Sequence, residues 1–78
     1  MRFVAGNILT FYNPKRHHVI VSIWNISVEY GFHSKLCELN ERDVAIFVRQ
    51  TGSNVIVLTK NGLGFIDSLN LNYVKCHV

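Results

Sequence analysis

Hydrophobic and polar positions alternate over short distances along most of this chain, and the clearest series begins at residue 44. Residues 44–49 are rich in β-branched and aromatic side chains, and their short length favours a strand over a helix. Residues 50–54 are of types common in turns and include Gly52, which can adopt a positive φ, so they predict a turn. Residues 55–60 are apolar on both faces, which predicts a central strand.

The next segment predicts a tight hairpin. Asn61 and Gly62 form the pair preferred in two-residue turns, in which both residues need a positive φ. Residues 63–67 form the returning strand, with Gly64 marking a bend or a close backbone approach. The chain from residue 44 to residue 67 is therefore predicted to form a three-stranded antiparallel meander.

Residues 19–30 contain two apolar series that are out of phase with each other. The first series is Val19, Val21 and Ile23, and the second is Trp24, Ile26, Val28 and Tyr30. A single phase change between Ile23 and Trp24 predicts a β-bulge, because one extra residue exchanges the two faces of a strand. Core packing is the default interpretation of the stripe with Trp24 and Tyr30; if it faces outward, it is an aromatic hot spot for a partner.

The remaining segments supply further strands. Residues 7–12 predict a strand that ends at Pro14, which cannot donate a ladder hydrogen bond. Residues 31–43 leave two structures open, a short helix beginning at Ser34 or an irregular strand over residues 36–39. Residues 68–72 predict one tight helical turn, and residues 73–78 a last strand that closes the sheet.

Several short segments are similar to parts of one small fold. Gly52 stands in the distal turn, residues 64–66 form the strand after it, and Asn72-Tyr73-Val74 resembles the Asn-Tyr-Val at the end of many SH3 domains. Residues 5–9 are similar to a Gly-Asp-Ile-Leu segment of such barrels. The resemblance implies one mostly-β domain over residues 1–78. We expect a small antiparallel SH3-like barrel of about five to six strands with a short 3₁₀ turn and, depending on residues 31–43, one short helix.

The chain departs from SH3 domains at the positions that bind ligands. The Ala-Leu-Tyr-Asp-Tyr-type motif and the acidic loop are absent, and Asp67 stands where a proline is expected. Recognition of polyproline segments is therefore not expected.

Composition indicates a binding role. Hydrophobic residues make up 49% of the 78 residues and charged residues only 17%. Because residues 44–48 and 55–58 are apolar on both faces, we expect apolar contacts outside the barrel, made either by residues 31–40 or by another chain. The sequence thus favours a non-catalytic protein that binds another protein or itself. Its short length is typical of accessory or inhibitor proteins such as those that phages encode.

The charge pattern supports an alternative, a KOW- or Tudor-like barrel that binds nucleic acid. The net charge is +3, and Lys15-Arg16-His17-His18 forms the densest polar group. On a loop these side chains can contact phosphates. Clustering of Arg2, Lys15, Arg16 and Arg49 on one face would favour this alternative. The candidate binding residues from both hypotheses are Lys15, Arg16, His17, His18, Trp24, Tyr30 and Arg49.

The sequence carries no pattern for catalysis, a metal or a cofactor. It contains neither a Cys-x-x-Cys nor a His-Glu-x-x-His spacing, and no Gly-x-Ser-x-Gly turn or glycine-rich phosphate loop. Cys37 and Cys76 are expected to be free thiols. No apolar run reaches the length of a membrane-spanning helix. We therefore expect a cytoplasmic protein without cofactor, located in the host cytoplasm if its source is viral.

Overall fold

The computed structural model describes residues 3–26 and 34–77, which form seven strands and one 3₁₀ helix. In chain order the elements are β1 (Ile8–Phe11), β2 (Ile20–Asn25), β3 (Lys35–Asn40), β4 (Val44–Thr51), β5 (Asn54–Thr59), β6 (Gly62–Ile66), the 3₁₀ helix (Ser68–Tyr73) and β7 (Val74–His77). The mostly-β prediction and the short helical turn before the last strand are therefore confirmed.

All seven strands belong to one antiparallel sheet with the order β3-β2-β6-β5-β4-β1-β7. Strands β4, β5 and β6 form the predicted meander in the middle of the sheet. Because β5 pairs on both sides, Val55 and Val57 can be completely enclosed, and they are exposed by only 1% and 0%.

The β5–β6 turn lies one residue earlier than the sequence predicted. Thr59 pairs with Gly62, so that Lys60 and Asn61 make the two-residue connection. The positive φ, +111°, occurs at Gly62, the first residue of β6. The Thr59 hydroxyl fixes this turn, since it accepts a hydrogen bond from the Asn61 amide at 3.1 Å and donates one to the Gly62 carbonyl at 3.0 Å.

The predicted bulge in β2 is confirmed. The β2–β3 register shifts between Ile23 and Trp24. Ile23 is completely buried in the core, whereas Trp24 pairs with Phe65 of β6 on the other face of the sheet. Gly64 permits this packing, because a Cβ atom at that position would lie only 2.9 Å from the Trp24 carbonyl oxygen.

Residues 35–40 settle the alternative that the sequence left open. They form β3, an edge strand that pairs with β2. Leu39 is buried in the core, with 1% exposure. The short helix is therefore a wrong alternative, and this strand raises the count to seven, above the expected five to six.

The sheet is open, so the prediction of a closed SH3-like barrel is wrong. Strand β7 was expected to close the sheet, but it pairs only with β1, and β3 pairs only with β2. Within the described residues no ladder joins β3 to β7. These two strands are the free edges of the sheet.

One hydrophobic core receives side chains from every strand. Its buried members are Leu9, Phe11, Val19, Val21, Ile23, Leu39, Ala45, Phe47, Val55, Val57, Ile66 and Val74. The six-residue 3₁₀ helix contributes no buried residue. The sheet therefore bends so that its inner face encloses this core. On its other face, here called the outer face, Ile56 and Phe65 are also buried, with 6% and 9% exposure, whereas other side chains remain exposed. No helix in the described parts of the chain has the length and apolar character needed to cross a lipid bilayer.

Candidate functional site

The predicted basic loop follows β1 and begins with an ordered turn. The Asn13 side chain accepts a hydrogen bond from the Lys15 amide at 2.9 Å, and the Arg16 amide donates to the Asn13 carbonyl at 3.3 Å. This local turn holds the backbone while Lys15, Arg16 and His17 remain exposed. His18 is exposed as well, with 87% of its side chain accessible, so the loop presents two fixed cations and two imidazoles to solvent.

His18 differs from the rest of the loop because it has a carboxylate partner. Its Nδ1 lies 2.9 Å from Oε1 of Glu41, and the second carboxylate oxygen accepts a hydrogen bond from the Val19 amide at 3.2 Å. The hydrogen bond with His18, followed by backbone amides, lowers the pKa of Glu41 to about 2. His18 thus ties the basic loop to the turn before β4.

The basic loop borders a shallow depression in the surface. Its lining residues are Asn13, Lys15, Arg16, His17, His18, Val19, Ile20 and Tyr73. Cationic side chains beside a phenol ring suit an anionic ligand that has a flat part. Lys15, Arg16, His17 and His18 thus line one depression, and their role as binding residues stays a prediction.

Arg49 and Trp24 lie away from this loop. Arg49 pairs with Ile56, Ile56 with Phe65, and Phe65 with Trp24, so one cross-strand row joins the two candidates. Five residues of strand, about 17 Å, separate Arg49 from the start of β4, near which the basic loop lies. Arg2 lies outside the described residues, and the other cations of the nucleic-acid hypothesis are divided between two regions.

Trp24 lies on the outer face rather than in the core. Its side chain is half-buried, and among the described residues its buried Nε1 has no hydrogen-bond partner. Tyr30, the other aromatic candidate, and Val28 lie outside the described residues, so the interpretation of the stripe is tested only at Trp24 and at Ile26, which is 37% exposed.

An apolar row crosses the outer face beside these candidates. Ile8 pairs with Ile46, Ile46 with Leu58, and Leu58 with Leu63. We call these four residues the outer apolar row. Their exposed fractions are 49%, 41%, 43% and 50%, respectively. Three strand spacings give the row a length of about 14 Å.

Further apolar side chains widen this row along β4. Val44 and Val48 lie two residues on either side of Ile46, with exposed fractions of 57% and 37%. Next to the row, a depression is lined by Arg42, Asp43, Val44, Ala45, Ile46, Leu58, Thr59 and Lys60. The outer face therefore carries a continuous apolar patch bordered by charged groups.

The amino-acid pattern indicated this apolar patch but not what covers it. Residues 44–48 and 55–58 are apolar on both faces, which predicted contacts outside the core. Of the two covers considered, residues 31–40 lie partly outside the described residues, which resume at Ser34. Residues 35–40 do not lie over β4 and β5, because they form β3 at the far edge of the sheet. The individual members Ile8 and Leu63 were missed, since their alignment with Ile46 and Leu58 depends on the sheet register.

One polar pair next to the row also has no signal in the sequence. The Thr10 hydroxyl lies 2.7 Å from Nε2 of His77, although 67 positions separate the two residues. The pair is exposed on the outer face. No third side chain in the described part of the chain hydrogen-bonds to the His77 ring, so this pair lacks the orienting group of a nucleophile–base arrangement.

The described residues contain no group of three or more His, Cys, Asp or Glu side chains that could hold a metal ion. No protein-family model, curated protein or solved structure matches the chain. Function is therefore inferred from the outer apolar row and the basic loop alone.

Proposed function

We propose that this protein is a non-catalytic binding protein that acts through protein–protein contacts, as an accessory or inhibitor protein. It places the outer apolar row on the surface of its partner. The observation that carries the proposal is the alignment of Ile8, Ile46, Leu58 and Leu63 across four neighbouring strands, each 41–50% exposed.

The physical basis is the burial of apolar surface. Contiguous exposed apolar patches on small proteins commonly mark interaction sites. Removing such surface from water contributes roughly 25 cal/mol per Å². Because β4 and β5 each have paired neighbours on both sides, the backbone under the row is already ordered, and little conformational entropy is lost on binding.

The test is a comparison of two double variants with the same chemical change. I46D/L58D places two carboxylates in the row, whereas I20D/L69D makes the same changes at positions that are 66% and 81% exposed elsewhere on the surface. Each protein is immobilised, and proteins captured from a lysate of the source cells are quantified by mass spectrometry. We expect a protein that the wild type and I20D/L69D both retain and I46D/L58D loses. Equal capture by all three proteins would contradict the proposal.

The basic loop supports a second candidate function, binding of nucleic acid. Lys15, Arg16 and His17 are exposed and share one depression with Tyr73. Such a site would neutralise few phosphates, but its affinity would still fall with salt. Fluorescence anisotropy with labelled single-stranded DNA, duplex DNA and RNA, at low and physiological salt, tests this candidate.

The control for this second test removes the same charges elsewhere. We expect K15A/R16A to lose binding and salt dependence, while R49A/K75A keeps both. The absence of binding by the wild type at low salt would exclude this second function.

A further inference from the structure

We infer that the outer apolar row binds an acidic protein surface, one whose apolar centre is bordered by carboxylates. This inference rests on the proposed function and adds the chemistry of the partner. It follows from the distribution of paired and unpaired charges around the row.

The acidic side chains described in the structure already have partners. Glu38 lies 3.8 Å from Lys35, Glu41 lies 2.9 Å from His18, Asp43 lies 3.1 Å from Lys60, and Asp67 accepts hydrogen bonds from Asn70. In contrast, Arg42, Arg49 and Lys75 form no ion pair with any described residue. In the depression beside the row the acidic lining residue, Asp43, is paired with Lys60, so the charge left without an ion pair around the row is positive.

These three cations lie on three sides of the row. Arg42 lines the depression next to Ile46 and Leu58. Arg49 is opposite Ile56, two residues along β5 from Leu58. Lys75 pairs with Thr10, two residues along β1 from Ile8. A partner that covers the row would therefore bring its own border close to all three cations.

Carboxylates on that border would complement the cations. Complementary charges speed the encounter, fix the orientation and disfavour partners with the wrong sign. A second copy of this chain fits less well, because each copy has a net charge of +3 and would bring the same cations towards this positive border.

A lipid surface also fits less well than a protein. Half or more of the surface of each residue in the row is already covered, since the exposed fractions do not exceed 50%. Residues covered to this extent leave little apolar surface to insert, whereas membrane-inserting side chains project into the acyl region.

The experiment uses a displayed library of small helical domains with randomised surface positions, selected on the immobilised wild-type protein. Clones that also bind I46D/L58D are removed, so the remaining clones depend on the outer apolar row. Their affinities are then measured for R49A/K75A and for the matched variant K15A/R16A, at low and physiological salt. Circular dichroism verifies that every variant keeps the wild-type fold.

We expect the row-dependent clones to be enriched in Asp and Glu relative to the unselected library. Their affinity should fall about five-fold or more in R49A/K75A, mainly through a slower and less salt-dependent association rate. It should be unchanged in K15A/R16A.

The contrary outcomes separate this inference from the proposed function. Row-dependent clones without acidic enrichment would overturn the acidic partner and leave protein binding intact. A library without row-dependent clones would overturn both. A dimer in sedimentation velocity that I46D/L58D abolishes would replace the partner with a second copy. Binding to phosphatidylcholine/phosphatidylserine vesicles that I46D/L58D abolishes would replace it with a membrane.

Discussion

At the scale of single residues, Glu41 is the group whose chemistry the fold changes most clearly. Its carboxylate accepts hydrogen bonds from the His18 ring and the Val19 amide, and its pKa falls from an ordinary value of 4.5 to about 2. Between these pH values the unfolded chain binds more protons than the folded chain. The free energy of unfolding therefore decreases as the pH falls through this range.

This shift predicts the pH dependence of stability. The contribution of Glu41 should be complete above about pH 4.5 and be lost as the pH approaches 2. E41Q keeps a hydrogen-bonding side chain but cannot ionise, so we expect a smaller loss of stability over this range than in the wild type. Urea unfolding at several pH values measures the difference.

The control for this prediction is H18A, which removes the main partner of the carboxylate. H18A should reduce the pH dependence of the free energy of unfolding over the same range. The double variant H18A/E41Q should show no smaller pH dependence than E41Q alone. Asp43 retains part of the pH dependence, because the Asn40 amide and Lys60 lower its pKa too. An acid transition in E41Q as steep as that of the wild type would show that Glu41 is not the linked group.

At the scale of strands, local pattern predicted most of the sheet. The apolar alternation from residue 44 to residue 67 gave the meander, and the phase change at Ile23 gave the bulge. These features depend on neighbouring residues only. The turn at Lys60–Asn61 was displaced by one position, because the Thr59 hydroxyl binds both Asn61 and Gly62.

Features that depend on pairing between strands far apart in the sequence could not be predicted from the local pattern of apolar and polar residues. A terminal strand with alternating residues fits either a closing position or an edge, and only its pairing with β1 distinguishes the two. The outer apolar row has the same origin, since Ile8 and Leu63 are aligned by two different ladders. The basic loop, in contrast, is contiguous, so the sequence showed all of it.

Two adjacent residues of β1 test which face of the sheet is the core. Leu9 is completely buried, whereas its neighbour Ile8 is 49% exposed on the outer face. We expect L9A to lower the free energy of unfolding by about 2–5 kcal/mol, because it leaves a cavity. I8A should cost less than about 1 kcal/mol, since surface substitutions rarely exceed ±0.5 kcal/mol. Urea unfolding of both variants gives the comparison, and equal losses would contradict the assignment of the faces.

At the scale of the whole molecule, the open sheet implies a gradient of local stability. Strands β5 and β6 lie in the interior of the sheet order, whereas β3 and β7 each have one neighbour. All seven strands nevertheless share one core, so global unfolding should be cooperative. Local opening, in contrast, needs fewer broken contacts at an edge than in the centre.

Amide hydrogen exchange measures this gradient directly. We expect the slowest exchange in β5, where Val55 and Val57 are buried and pair with residues of both neighbouring strands. Amides of β3 and β7 that point away from their single partner should exchange fastest among the strands. A closed barrel would instead protect both edges to the same degree as the centre, because every strand would then have two partners. Uniform protection in dilute solution would therefore contradict the open sheet.

Protection of β3 or β7 that increases with protein concentration would show pairing between the edges of two chains, a different contact from the outer apolar row. The same exchange data on I46D/L58D separate the two surfaces, since these substitutions leave both edges unchanged.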